Sequence, residues 1–194
     1  MNKVFVTSDL HFGHRNILKF NPRTRPYETV EKMDDALISN WNAVVSPSDD
    51  VFNLGDLSFH QNFNVTLEIL ERLNGRHHLI LGNHDRLLRK PRYRLAAENY
   101  LESIQDYVEL NVNKRKIVMC HYSMRVWNCM HHGAIMLYGH SHGSLTAVGR
   151  SMDVGIDSSD MNSYQRPFFL DDVINFLSLK KIAIHDHHTN GDSV

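Results

Sequence analysis

Five short segments place histidine, aspartate or asparagine at the end of an apolar run, and they restrict what this chain can fold into more than any other feature. They are SDLHFGH at 8–14, GDL at 55–57, GNHD at 82–85, CHY at 120–122 and GHSHG at 139–143. A single aspartate after a strand is commonly a helix cap. A single histidine is commonly a satisfied or exposed side chain. Capping does not account for five such segments in succession. The first is preceded by Val4, Phe5, Val6 and Thr7, a β-branched and aromatic run of the kind that forms a short buried strand. In open α/β sheets, ligands gather at the carboxyl ends of strands. One pattern therefore predicts both an α/β framework and a site at one end of it.

The intervening stretches fit that framework. Val30, Met33, Leu37, Trp41 and Val44 recur at steps of three or four, which predicts an amphipathic helix with Trp41 in the core. A second strand over Val51 to Leu54 runs into Gly55 and Asp56, and Val65, Ile69, Leu70 and Leu73 mark the next helix. A third strand, His78 to Leu81, delivers Gly82 to Asp85, with a short helix expected at Leu87 and Leu88. The parallel rhythm then ends. Tyr107 to Val112 and Lys116 to His121 flank a polar turn, which predicts a hairpin, and Ala134 to Tyr138 leads into the GHSHG segment. A C-terminal helix is expected around Leu170, Val173, Ile174 and Leu177.

The length of 194 residues suits one domain, placed at 1–185, followed by a polar tail at 186–194 that carries His187 and His188. With 42% hydrophobic and 22% charged residues, the chain reads as a compact soluble domain and not as a disordered or membrane protein. Its net charge of -1 provides no global field for polyanions. The apolar run at the N-terminus is too short for a signal peptide, and two cysteines cannot build a disulfide framework. A reducing, cytoplasmic setting is expected.

The spacing carries chemistry. In Asp9-x-His11 and His140-x-His142, one intervening residue in extended backbone would point both side chains the same way. Glycines at 55, 82, 139 and 143 permit tight turns and close backbone approach beside the polar groups. Imidazole nitrogen with carboxylate and amide oxygen suits manganese, iron or zinc, whereas copper(I) would favour sulfur. Two adjacent cations would need a bridging anion, and Asp56 can supply one.

In their order, D-x-H, GD, GNHD, H and GHxH, these blocks resemble the calcineurin-like metallophosphoesterase superfamily across residues 8–143. The longer opening block, SDLHFGHRNILKFNPRTRP, resembles a small bacterial and phage branch of it. The resemblance implies a four-layer α-β-β-α sandwich of two mixed sheets flanked by helices; periodicity alone supports only mixed α/β. It implies two divalent ions, manganese first, with iron, zinc, nickel or cobalt as alternatives. Asp9, His11, Asp56 and His142 would hold one, and Asp56, Asn83, His121 and His140 the other. A hydroxide bridging the metals would attack the phosphorus. His84 would stabilise or protonate the leaving oxygen, and Asp85 would orient His84 by a hydrogen bond.

The implied substrate is a small phosphodiester, and also a monoester, of nucleotides or a nucleic-acid end. The basic stretch Arg86, Arg89, Lys90, Arg92 and Arg94 could contact its phosphates, as could a helix start at His14 to Asn16. Arg125 and Trp127 could line a pocket, although core packing suits Trp127 equally well. A nuclease subunit and a non-catalytic metal-supported scaffold remain as alternatives, and homo-oligomerisation stays open. His84 and Asp85 follow a strand and glycine, which excludes an all-helical HD hydrolase, and GHSHG lacks the HxHxDH continuation of a metallo-β-lactamase-type site.

Overall fold

A computed structural model describes residues 2–158, 161 and 165–185; the tail at 186–194, with His187 and His188, lies outside the described residues. The element order is β1 (Val4–Thr7), α1 (Ile17–Phe20), α2 (Val30–Asn42), β2 (Asp50–Asn53), α3 (Phe63–Arg72) and β3 (Arg76–Ile80). It continues with α4 (Pro91–Ala97), β4 (Leu101–Gln105), β5 (Tyr107–Val112), β6 (Arg115–Cys120), β7 (Ile135–Tyr138), β8 (Ser151–Asp153), β9 (Phe168–Phe169) and α5 (Leu170–Ser178). No helix among the described residues is long and apolar enough to cross a membrane.

The strands form two mixed sheets, as the family resemblance implied. In the first, of order β4-β3-β2-β1-β9, the first four strands run parallel and β9 pairs antiparallel with β1. In the second, of order β5-β6-β7-β8, the hairpin β5-β6 is followed by two parallel pairings. The hairpin turns at Asn113 and Lys114, both with positive φ (50° and 62°), the twist that a tight two-residue connection requires.

Alternation along the strands sorts the core into layers. Phe5, Val51 and Leu79 face α2 and α3, whereas Val6, Phe52 and Ile80 face the second sheet and meet Ile117, Met119, Ile135 and Leu137. Val118, Met136 and Tyr138 point to the far side of that sheet, where Trp127 and Met130 cover them. This outer layer is thin, built around the 3₁₀ turn Met130–His132, while α5 packs into the cluster between the sheets. Trp127 is therefore core: its indole N–H donates to the Ala134 carbonyl at 3.0 Å, and Arg125 beside it is exposed. Trp41 is also core and donates to the Asn74 carbonyl.

The sequence did not announce α4, β4, β8 and β9. These elements are short, and β4 has only two buried positions, Leu101 and Ile104, too few to establish a period. The helix expected at Leu87 and Leu88 is a 3₁₀ turn, Arg86–Arg89. The helix start at His14 to Asn16 opens only a four-residue helix, with no side-chain cap at Asn16.

Candidate metal centre

The loops that leave β1, β2, β3, β6 and β7 meet at one end of the sandwich and are stitched together by backbone hydrogen bonds. Asp9 N–H donates to the Gly55 carbonyl (2.9 Å), His11 N–H to Asp56 (3.0 Å) and Gly139 N–H to His121 (3.0 Å). The sheets join here too, through a bridge between Ser8 and Gly155. All seven candidate ligands therefore converge.

They form two groups. Asp9, His11 and His142 can each offer an atom to one ion, and Asp56, His121 and His140 to another. The Asp56 Oδ2 atom lies between the groups, 3.7 Å from His11 Nε2 and 3.6 Å from His121 Nε2. Asn83 joins the second group, its Oδ1 lying 3.0 Å from His121 Nε2. In the first, His11 and His142 bring their Nε2 atoms to 3.2 Å, and both lie within 3.9 Å of Asp9 Oδ1.

These distances bring the donor atoms of each group within reach of a common cation, and two further observations are consistent with one. Asp9 Oδ1 is buried without a hydrogen-bond partner among the described residues, a costly arrangement unless a positive charge comes to it. Burial, with the neighbouring charges of Asp153 and Asp56, pushes the Asp9 carboxyl up to about 7, whereas burial and the Arg25 charge push the His11 imidazole down, toward its neutral ligating form. The donor set and its one orphaned oxygen fit a divalent ion.

The backbone at the site departs from expectation. Extended geometry at Asp9-x-His11 and His140-x-His142 does not occur; these four residues and Asp56 hold positive φ, between 47° and 68°. Non-glycine residues in that region cost about 1–3 kcal/mol each and persist only where their surroundings enforce them. Convergence therefore comes from left-handed turns and not from strand alternation. Two glycines make it sterically feasible. A Cβ at Gly82 would collide with the Asp56 carboxylate, and one at Gly139 with the Ser8 and Asp9 side chains.

A second ring of side chains orients the candidate ligands. The His121 ring holds the Leu54 carbonyl at 2.7 Å through Nδ1, leaving Nε2 for the site. His142 Nδ1 lies 2.7 Å from Asp157 Oδ2, and Asp157 also receives Thr24 (2.6 Å) and the fork of Arg25 (2.8–3.2 Å). Burial alone would raise the Asp157 carboxyl, but these hydrogen bonds and the guanidinium hold it well below the usual range. Arg25 is buried and also donates to the Leu10 and Asp9 carbonyls and to the Met33 sulfur, so it grips the first left-handed turn from behind. Asp153 does the same for the GHSHG loop, accepting from Ser141 and Gly143 at 2.9 Å.

None of these three was assigned a role in the sequence. Arg25 stands inside the opening block that carries the resemblance. Asp153 and Asp157 belong to MDVGID, a sixth strand-end acidic segment hidden by a strand of only three residues.

Asp85 differs from expectation as well. It makes no hydrogen bond to His84; its oxygens accept from the backbone amides of Asp56 (2.8 Å), Leu57 (3.0 Å) and Gly82 (2.8 Å). It therefore shapes the loop that carries Asp56, and burial pushes its carboxyl up to about 6. His84 is held otherwise: its N–H donates to Asp56 Oδ1 at 2.8 Å and its ring leans on Phe59, 4.3 Å between centroids. Phe59 in turn stacks on His14 at 3.7 Å, the place taken by a residue expected to bind phosphate.

A model of the calcineurin-like phosphoesterase superfamily domain matches residues 2–152, which include the five blocks from 8 to 143 but not Asp153 and Asp157. The chain belongs to that superfamily. An uncharacterised protein of Methanocaldococcus jannaschii is 46% identical over 87 residues, covering 44% of this chain and 48%, about half, of that relative. The gene 66 protein of Mycobacterium phage L5 is 25% identical over 185 residues, 81% of this chain and 88% of the phage protein. A solved structure of a protein of unknown function from Aquifex aeolicus shares this fold, with a TM-score of 0.68 at 22% identity, over 90% of this chain and 99% of its own.

Proposed function

We propose that this phosphoesterase is a dinuclear metal-dependent hydrolase of phosphodiesters, acting on a nucleotide or a nucleic-acid end. Asp9, His11, Asp56 and His142 would hold one divalent ion, and Asp56, Asn83, His121 and His140 would hold the other. The observation that carries this reading is Asp56 Oδ2, which faces histidines of both groups while Oδ1 is tied to the His84 amide. A carboxylate so held can serve two cations at once. Bound divalent ions supply Lewis acidity, lowering the pKa of a water and offsetting charge on the phosphoryl oxygens.

The chain's own residues do the rest. His121 and His142 present Nε2 because Leu54 and Asp157 occupy their Nδ1 atoms. His84 is partly exposed, its Nε2 4.0 Å from Asp56 Oδ2, and from there it donates a proton or hydrogen bond to the leaving oxygen. Manganese is the metal to load first, and the two free cysteines suit a reducing compartment.

The test is hydrolysis of bis-p-nitrophenyl phosphate and p-nitrophenyl phosphate after manganese reconstitution. Metal-dependent turnover of the diester, stopped by chelation, is expected. Two bound ions without turnover of either ester would leave a scaffold in place of an enzyme.

A further inference from the structure

A cleft of about 460 Å³ opens beside His84, within the range of small-molecule sites. Leu57, Phe59 and Leu87 give it an apolar wall, and Arg86 and Lys90 stand at its edge. The structure divides the basic stretch that the sequence presented as one. Arg89 pairs with Asp106 at 2.9 Å, Arg92 lies over the Tyr93 ring at 4.5 Å, and Arg94 donates to the Ile104 carbonyl. These three are engaged elsewhere. Arg86 makes one bond, to the Asn83 carbonyl at 3.2 Å, and the Lys90 ammonium has no ion pair among the described residues. The carboxylate in the lining, Asp85, has its oxygens covered by backbone amides, so it does not neutralise them.

The geometry points to this cleft as the leaving-group subsite, and we propose that it takes a nucleotide carrying a phosphate of its own. The substrate is then a phosphodiester with a second, terminal phosphate, an assignment that rests on the phosphodiesterase reading above. The apolar wall suits the flat face of a nucleobase, His84 stands at the scissile end, and Arg86 and Lys90 receive the terminal phosphate as charge-assisted donors.

The probes are the thymidine dinucleotide TpT, its terminally phosphorylated forms pTpT and TpTp, and bis-p-nitrophenyl phosphate, all with the manganese-loaded protein. One of the phosphorylated dinucleotides should exceed TpT in kcat/KM by about tenfold, the worth of one exposed charge-assisted contact. In Lys90→Ala that ratio should fall toward one, while Lys90→Arg should keep it; a general loss of activity cancels from the ratio. Calorimetry supplies a readout apart from turnover, with thymidine 3′,5′-bisphosphate binding about tenfold tighter than thymidine 5′-monophosphate to the wild type but not to Lys90→Ala. A wild-type ratio near one, or a ratio that survives in Lys90→Ala, overturns the subsite while bis-p-nitrophenyl phosphate hydrolysis leaves the diesterase reading standing. Absence of that hydrolysis in the wild type overturns both.

Discussion

Replacing Asp157 with asparagine tests how the site is held together. The substitution keeps volume and one acceptor but removes the charge that faces Arg25 and His142. The Arg25 and Asp157 side chains are 0% and 1% exposed and meet at 2.8 Å, so the remaining guanidinium would be a buried cation whose hydrogen-bond acceptors are all neutral: the Leu10 and Asp9 carbonyls, the Met33 sulfur and the new amide oxygen. Removing one member of a buried pair costs about 3–5 kcal/mol, and the retained amide oxygen puts the expected loss near the lower end. A domain of this size is stable by about 5–15 kcal/mol, so the variant should fold at 25 °C and its loss should be measurable by urea denaturation. The same substitution frees His142 Nδ1 and loosens the turn bearing Asp9. Losing such an outer partner typically weakens metal binding about 10–100-fold, which manganese calorimetry would register. A change below about 1 kcal/mol together with unchanged manganese affinity would refute the claim that Arg25 and Asp157 hold the ligands in place.

Three other outcomes are expected. His84→Ala should retain both metals yet lose about 10²–10⁴-fold in turnover of diesters with poor leaving groups, and undiminished hydrolysis of TpT would exclude its role at the leaving oxygen. Asp56→Asn should lower occupancy at both sites, so elemental analysis finding two tightly bound ions would contradict the bridge. Asp34, which accepts the Gly13 amide at 3.0 Å near His60, has its carboxyl pushed by burial up to about 7. A carboxyl raised on folding opposes stability above that pH, and the opposition fades as pH falls through it. Asp34→Asn should therefore melt higher than wild type at pH 8.5, with the gap narrowing below about pH 7 and closing only toward about pH 4; a lower melting temperature at pH 8.5 would sink this.

Most of the strand-helix framework and the seven candidate ligands were legible in the sequence, because each lies at the end of an apolar run whose period can be counted. Asp9, Asp56 and His121 follow such runs directly. Asp157 and Arg25 were not legible, since their importance lies in meeting each other across 132 positions of chain. The expected partnership of Asp85 with His84 failed for a related reason. Adjacency in sequence says nothing about which way a side chain turns, and here three backbone amides captured the carboxylate.

By itself, then, the sequence determined that polar residues of metal-binding type stand at successive strand ends of an α/β framework. Hydrophobic alternation and local turn chemistry are encoded residue by residue, and they suffice for that. Only the tertiary structure decided how the residues converge: by left-handed turns at five of the candidate ligand positions, held by Arg25, Asp153 and Asp157 from behind. It also separated Arg86 and Lys90 from the three arginines beside them. Backbone conformations with positive φ are locally unfavourable for such residues, so no local pattern can call for them, and they exist only because long-range hydrogen bonds and packing enforce them.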